Sequence, residues 1–495
     1  MAEKKSKPGA KPEGWARKSR SKGSPSVLFV AFEAVPFAKT GGLGDVAGSL
    51  PKELNKLGAD VRLIMPKFGT IPEEYKKKIE HVAYFYMELS WRRLYVGVEK
   101  LVLGGVTVYF IDNEDYFKRD NIYGYGDDWE RAAYFSKAVL AALPYTGFQP
   151  DIIHCNDWHT SLVPAFLKLW YGKDKRFPYA KIKTVFTVHN LKFQGWFGGY
   201  ITSDGLGISW DEAWQCGMVY GGDIKYMKSA LEISDRITTV SPTYAKEICT
   251  PQYGEGCEEI FVRRNSVLSG ILNGIDTEVL DPASDKNLPV NYGADDYKAG
   301  KAAAKAALQE RLGLEKAPDK PLYAIISRLT DQKGLDLVNA VIDEFMEEDV
   351  QFAVLGVGSP EYENKFKELA EAMPSKFGAA IYFDEPLSRL IYAGADFMLV
   401  PSLFEPCGLT QITAMRYGTI PIVRSTGGLA DTVNAKVGFS FKNYDARELL
   451  ETMKAALDVY GNRKKLDTFI KNDMKQDYSW GASAEKYLSL YKELV

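Results

Sequence analysis

Short, wholly apolar runs alternate along the chain with longer stretches of helical spacing. Val27-Leu28-Phe29-Val30-Ala31 is apolar at every position, the pattern of a strand buried on both faces. A loop with Pro36 and Gly41-Gly42 follows, then a helical pattern over 45–57 stopped by Gly58, then an apolar run over 61–65 closed by Pro66. Further strands are expected at 106–111, 151–154, 184–188 and 236–240, with helical patterns near 129–143, 161–171 and 224–233. A polar stretch over 273–300 reads as a connection. After a helix at 301–312, a second alternating run places strands at 322–327, 351–355, 380–383, 397–400 and 420–423. Amphipathic helices follow from 446, the last near 483–494. The alternation predicts an α/β protein with two parallel-sheet halves, each binding ligands at the carboxyl ends of its strands.

Composition narrows this picture. The 495 residues exceed what one core serves, 26% are charged, and the net charge of −3 carries no bias toward nucleic acid. No run approaches the ~20 apolar residues of a membrane span. The first 25 residues hold eight Lys/Arg against Glu3 and Glu13, without the apolar region of a secretory signal, and read as a basic disordered tail. Cys155, Cys216, Cys249, Cys257 and Cys407 lack C-x-x-C spacing and suit a reduced, cytoplasmic setting, with a plastid the lesser expectation. His154 and His159 do not have zinc-site spacing, so no metal is expected.

Candidate chemistry collects at strand ends. Lys39-Thr40-Gly41-Gly42-Leu43-Gly44-Asp45 follows the first strand and opens a helix; glycine amides, a helix N-terminus and the Lys39 charge suit phosphate. Read alone, it is equally a flexible turn. It is not a Walker A loop, and the second strand lacks the acid that a nicotinamide site places on ribose. Arg328 and Lys333 lie where the first strand of the second half ends, a fork and a point charge suited to a diphosphate leaving group. Pro401 to Thr410 breaks another buried strand, with Glu405 suited to sugar hydroxyls and the amides after Gly408 to phosphate. Ser425-Thr426-Gly427-Gly428-Leu429 repeats that logic one strand later. Cys407 reads as a small packed residue rather than a nucleophile. Asp157 and His189 end two strands of the first half.

KTGGLGDV, NDWH, FTVHN, GILNGID, SRLTDQKG, FEPCGLTQ and STGGLADTV occur together and in this order. Over about residues 26–480 the chain resembles the bacterial glycogen synthase and plant starch synthase family. The resemblance implies two Rossmann-like domains facing across a cleft, the GT-B arrangement. It implies ADP-glucose and an α-1,4-glucan as partners, retaining transfer to the non-reducing end, and no cofactor. The expected organisation is the tail 1–25, an acceptor-side domain 26–268, a nucleotide-sugar domain 269–477 and a helix 478–495 returning to the first domain. By the same resemblance, Lys39, Gly42, Arg328 and Lys333 handle the donor phosphates. Asp157, His189, Asn190 and Glu405 surround the transferred glucose. Gly408, Leu409 and Thr410 meet the distal phosphate, Phe383 stacks on adenine, and Tyr123 and Trp158 contact sugar. Gly41, Asp45, Asn273 and Cys407 complete the expected substrate-binding set. The chain departs from many relatives at Arg389, where histidine is usual, and at Lys225, where a small polar residue is usual.

Two other readings remain at this stage: a GT-B enzyme using UDP-glucose, and a catalytically silent glucan-binding protein. A glycoside hydrolase would need two carboxylates flanking the bond rather than phosphate-binding groups.

Overall fold

The computed structural model describes residues 24–174 and 177–495. The tail expected over 1–25 lies, apart from its last two residues, outside them. The described residues form two compact units, one of 24–240, 245–271 and 480–495, the other of 241–244 and 272–479.

The first unit contains β1 (Ser26–Val30), β2 (Asp60–Pro66), β3 (Glu80–Leu89), β4 (Arg92–Leu103), β5 (Val106–Asp112), β6 (Ile152–Asn156), β7 (Lys183–Val188), β8 (Trp196–Gly198), β9 (Val219–Tyr220), β10 (Asp223–Lys225), β11 (Arg236–Thr239) and β12 (Leu268–Gly270). The second contains β13 (Leu322–Ile326), β14 (Gln351–Leu355), β15 (Phe377–Ala380), β16 (Phe397–Val400), β17 (Ile420–Arg424) and β18 (Phe439–Phe441).

The main sheet of the first unit runs β12-β11-β7-β6-β1-β2-β5-β4-β3. All its pairings are parallel except those of β4 with β3 and β5. All five residues of β1 are buried, as a central strand covered on both faces requires. The helix Gly42–Lys56 begins three residues earlier than the sequence pattern suggested and buries Leu43, Val46, Ala47, Leu50 and Leu54 along one stripe. The last helix, Trp480–Leu494, belongs to this unit, where Tyr491 donates or accepts a 2.6 Å bond with His154 in β6. The hairpin β3–β4 and a separate sheet ordered β8-β10-β9 are additions that the sequence reading did not contain. The second of these also shortens a helix: Ile224 and Lys225 pair in β10, so the helix expected from 224 starts at Tyr226.

The second unit is a wholly parallel sheet, β15-β14-β13-β16-β17-β18. Its β15 ends at Ala380, where a strand over 380–383 was expected to begin. Asp384 then caps the helix Glu385–Gly394, accepting from the Leu387 amide, which leaves Phe383 in the intervening loop.

Strand order makes the site's position intelligible. From β1 the chain builds outward through β2 and β5, then returns to the opposite side at β6, so the switch point lies between β1 and β6. From β13 it builds through β14 and β15, then returns at β16, so the second switch point lies between β13 and β16. Open α/β sheets bind ligands beyond the carboxyl ends of the strands at such points. The Lys39 turn follows β1 and Asp157 follows β6; Arg328 and Lys333 follow β13 and Glu405 follows β16. Among the described residues no helix is long and apolar enough to cross a membrane.

Candidate active site

In the first unit, the turn after β1 is organised by a residue that sequence reasoning missed. Glu33, 4% exposed, accepts from the Thr40 amide at 2.5 Å, the Thr40 hydroxyl at 2.9 Å and the Gly41 amide at 3.0 Å. Tyr123 donates to the same carboxylate at 2.5 Å. The amides of Thr40 and Gly41 are thus satisfied by Glu33, and the Gly42 end of the turn and the Lys39 ammonium are what face outward. A Cβ added to Gly41 or Gly42 would meet nothing within 4 Å, so the chain's own packing does not require glycine at either position. Lys39 pairs with Asp45 at 2.7 Å, both partly exposed. A cavity of about 330 Å³ beside the turn is lined by Lys39, Thr40, Asp120 and Asn121 among others.

Asp157 sits across the switch point, with φ 56° and ψ 177°. Its amide donates to Thr187 O at 3.0 Å, and its carbonyl accepts from the Thr160 amide at 3.1 Å, so the unusual conformation is held between β6 and β7. Its carboxylate accepts from the His189 amide at 2.8 Å. Burial pushes its pKa up to about 7; the His189 and Asn190 amides pull the other way, and Glu33 adds a smaller upward push.

The proton on His189 is assigned by a neighbour. Asn156 donates its amide nitrogen to Val30 O at 3.0 Å, which turns its oxygen toward His189 Nε2, 2.9 Å away. Only an Nε2–H can donate there. Burial lowers the His189 pKa to about 3, so the ring is neutral and its Nδ1 is an acceptor. Trp158 and Tyr123 both pack on the buried His159, with centroids 3.8 Å and 4.5 Å away, which joins the two expected sugar-contact residues through one ring.

In the second unit, two backbones close on each other. A Cβ on Gly334 would lie 2.1 Å from Pro401 O, and the Leu403 amide donates to Gln332 O at 2.9 Å. That approach brings Lys333 Nζ to 2.6 Å from Glu405 Oε2, to which Ser402 also donates at 3.0 Å. Arg328 is exposed at the end of β13. Gly408, at φ 75°, precedes the helix Thr410–Arg416, of which Leu409 is the N-cap. Cys407 is buried, accepts from the Asn273 amide, and burial pushes its thiol up to about 12, which removes it as a nucleophile. The Asn273 side-chain oxygen is buried without a partner. Phe383 is 85% exposed.

The repeated glycine motif packs against the Glu405 loop. Cβ atoms on Gly427 and Gly428 would lie 2.0 Å from the carbonyls of Glu405 and Cys407, and the Gly428 amide donates to Glu405 O at 3.1 Å. These glycines permit close backbone packing beneath the Glu405 loop, which by itself requires glycine at both positions. Arg389 is likewise interior, bonding Glu385, Tyr417 Oη and Val279 O within the second unit. Glu33 was missed because it is a lone acid just past an apolar strand, and Asn156 and Ser402 because they are uncharged members of the NDWH and Pro401–Thr410 motifs beside the more telling Asp157 and Glu405.

Within the first unit the structure brings together Lys39, Gly41, Gly42, Asp45, Tyr123, Asp157, Trp158, His189 and Asn190 at one switch point. Within the second it brings together Arg328, Lys333, Glu405, Cys407, Gly408, Leu409 and Thr410, with Asn273 against Cys407 and Phe383 past the edge strand β15, two strands from β13. Two Rossmann-like units of this kind define a glycosyltransferase of the GT-B type, and residues 26–263 match the family described as starch synthase catalytic domain while residues 309–475 match glycosyl transferases group 1. A glycogen synthase of Anoxybacillus flavithermus is 48% identical over 477 residues, covering 95% of this chain and 98% of its own. A glycogen synthase of Geobacillus stearothermophilus is 48% identical over 476 residues, with the same shares, 95% and 98%. The catalytic domain of starch synthase IV from Arabidopsis thaliana, solved bound to ADP and acarbose, matches with a TM-score of 0.86 at 32% identity, over 95% of this chain and 99% of that one. The chain belongs to the glycogen synthase and starch synthase family.

Proposed function

We propose that the protein transfers glucose from ADP-glucose to the 4-hydroxyl at the non-reducing end of an α-1,4-glucan, with retention of configuration and release of ADP. One observation carries the reading: Lys333 and Glu405, from the ends of two different strands, meet at 2.6 Å at the switch point of the second sheet. A cation for a departing phosphate then lies beside an acceptor for sugar hydroxyls. Family membership supports the transfer, and the ADP bound by the Arabidopsis relative supports the donor. The bacterial relatives favour the cytoplasm as the place of action.

On this reading Arg328 and Lys333, aided by Lys39 and the Gly42 turn, stabilise the diphosphate as negative charge develops on it. Gly408, Leu409 and Thr410 receive the distal phosphate, and Phe383 stacks on adenine. Glu405, Asn190 and the Nδ1 of His189 hold glucose hydroxyls, and ionised Asp157 faces positive charge developing on the sugar ring. The departing phosphate oxygen takes the proton of the acceptor hydroxyl on the face it leaves, so retention needs no enzyme nucleophile. No cofactor or metal enters. Initial rates with ADP-glucose and UDP-glucose on the same glycogen test the donor; a faster rate with UDP-glucose overturns it. Proton NMR of the newly formed linkage tests retention; a β-linkage overturns it.

A further inference from the structure

Four residues of the second unit come from a distant part of the chain. Ser241–Tyr244 follow just after β11 of the first sheet, belong to the second unit, and are succeeded from Ala245 by residues of the first. Ser241 caps the helix Pro242–Glu247: the Tyr244 amide donates to its Oγ at 3.1 Å. A cap uses only a lone pair of the hydroxyl. The proton of the fully buried Ser241 hydroxyl goes elsewhere, to Pro406 O at 2.7 Å. Two residues on, Thr243 turns both its donors on one carboxylate. Its amide donates to Asp431 Oδ2 at 2.8 Å and its hydroxyl to Asp431 Oδ1 at 2.7 Å.

Both attachments lead to the turn that carries Glu405. The consecutive carbonyls from Glu405 to Gly408 each accept a bond. Gly428 N–H donates to Glu405 O at 3.1 Å, Ser241 to Pro406 O, and Gln411 Nε2 to Cys407 O at 3.2 Å and Gly408 O at 2.9 Å. The donors to Glu405, Cys407 and Gly408 are supplied by the two helices that follow the turn; the donor to Pro406 lies 165 residues away in the chain. Asp431 sits in the helix Gly427–Thr432, whose first two glycines already abut the Glu405 and Cys407 carbonyls. Its neighbour Thr432 accepts from the same Gln411 nitrogen at 3.1 Å. Backbones packed this closely transmit a displacement rather than absorb it, so a shift of Asp431 reaches the turn.

We propose that Ser241, Thr243 and Asp431 are positioning residues for glucosyl transfer, holding the backbone of the Glu405–Gly408 turn so that the Glu405 side chain stays beside Lys333. They act through Glu405 rather than on the sugar. Helix capping explains Ser241 Oγ as an acceptor and Asp431 as an acid near a helix N-terminus. It does not explain the donation to Pro406 O, or why that acid stands in the helix packed under the turn. Transfer supplies the reason, because a misplacement of ~1 Å near a reacting centre costs roughly 100-fold in rate. The inference rests on the reading that Glu405 takes part in the transfer of glucose.

The test uses the full chain with Ser241→Ala, Thr243→Val and Asp431→Asn, and with Thr243→Ser, which keeps both donors. Initial rates with ADP-glucose and glycogen are measured beside amide hydrogen exchange, read by mass spectrometry on peptides covering 402–411. Each of the first three variants should lower kcat roughly 10- to 100-fold, move KM for glycogen by less than about threefold, and speed exchange over 402–411. Thr243→Ser should keep kcat within about twofold of the wild type. Ser241→Ala combined with Asp431→Asn should cost less than the product of the two, since both act on one turn. Thermal melts establish folding, and the remaining variants carry the test if one does not fold. Folded variants with kcat within about twofold of the wild type overturn the proposal. So does a fall in kcat with exchange over 402–411 unchanged, or a Thr243→Ser chain as impaired as Thr243→Val. If the wild-type chain transfers glucose from neither donor, the enzymatic reading fails by itself, and exchange over 402–411 still decides whether these residues hold the turn.

Discussion

Asp157 holds a backbone conformation that residues with side chains rarely adopt, at a cost of roughly 1–3 kcal/mol. The same residue keeps a carboxyl whose pKa burial raises to about 7. Both features oppose folding convenience. A bond to Thr187 in β7 and a turn bond from Thr160 hold the backbone, and the His189 and Asn190 amides hold the carboxylate. If the ionised form faces a cationic sugar ring, turnover should rise as pH passes through about 7. Asp157→Asn keeps an acceptor for the His189 amide but cannot ionise, so the rise should vanish and turnover fall by roughly 10²-fold or more. A pH–rate profile of the variant that retains the step near 7 would assign that step elsewhere. Gly427 makes a complementary argument from sterics. At φ 44°, with the Glu405 carbonyl where a Cβ would go, Gly427→Ala must displace the Glu405 loop. Turnover should drop at least tenfold, with the unfolding transition of the first unit preserved because Gly427 lies in the second.

At the scale of elements, the C-terminal helix is tied to the centre of the first sheet by a buried chain of side chains. Tyr491 bonds His154 Nδ1, and His154 Nε2 bonds Thr187, which meets Thr238, so the helix reaches β6, β7 and β11 in succession. Tyr491→Phe leaves a fully buried imidazole nitrogen without a partner and should cost about 1–3 kcal/mol in urea unfolding. Burial also lowers the pKa of His154, like that of His189, to about 3 from an ordinary 6.5. Between those values the unfolded chain binds protons that the folded chain does not. Stability should therefore be full above about pH 6.5 and decline steadily as pH falls toward 3. Urea midpoints at pH 7 and pH 5 check this, and His154→Gln should make the decline shallower. The central parallel strands were legible because strands covered on both faces are apolar throughout, as in β1 and β16; the parallel edge strands β12 and β18 were not expected, and β15 lies earlier than expected. The hairpin β3–β4 was not, since its half-exposed strands mix Tyr, Glu and Arg and its turn at Ser90-Trp91 contains no glycine. The short strands β8 to β10 are too brief for any period to show. Site positions were legible where a motif broke a strand, as at Lys39, Asp157 and Lys333. Glu33 was not, because an acid inside a loop acquires meaning only when folding brings Thr40, Gly41 and Tyr123 to it.

For the whole molecule, the decisive property is that two compact units each carry a sheet with its own switch point. A nucleotide bound by residues of the second sheet stabilises that unit by mass action, by about 2.7 kcal/mol at a hundredfold excess over Kd. For a unit of this size that is a rise of roughly 5–10 °C in its transition. The proposed roles assign the phosphates to Arg328, Lys333 and the Gly408 loop, and the base to Phe383, whose ring is 85% exposed. Differential scanning calorimetry should therefore show ADP raising the transition of the second unit more than UDP does at equal concentration. Lys333→Ala should shrink the shift for both nucleotides, because both carry the diphosphate. Phe383→Ala should shrink the ADP shift selectively and narrow the gap, because a purine offers the larger stacking face. Equal shifts with ADP and UDP in the unaltered chain would count against an adenine-selective donor site. An ADP shift untouched by Lys333→Ala would remove that lysine from the diphosphate and leave its contact with Glu405 as its only role.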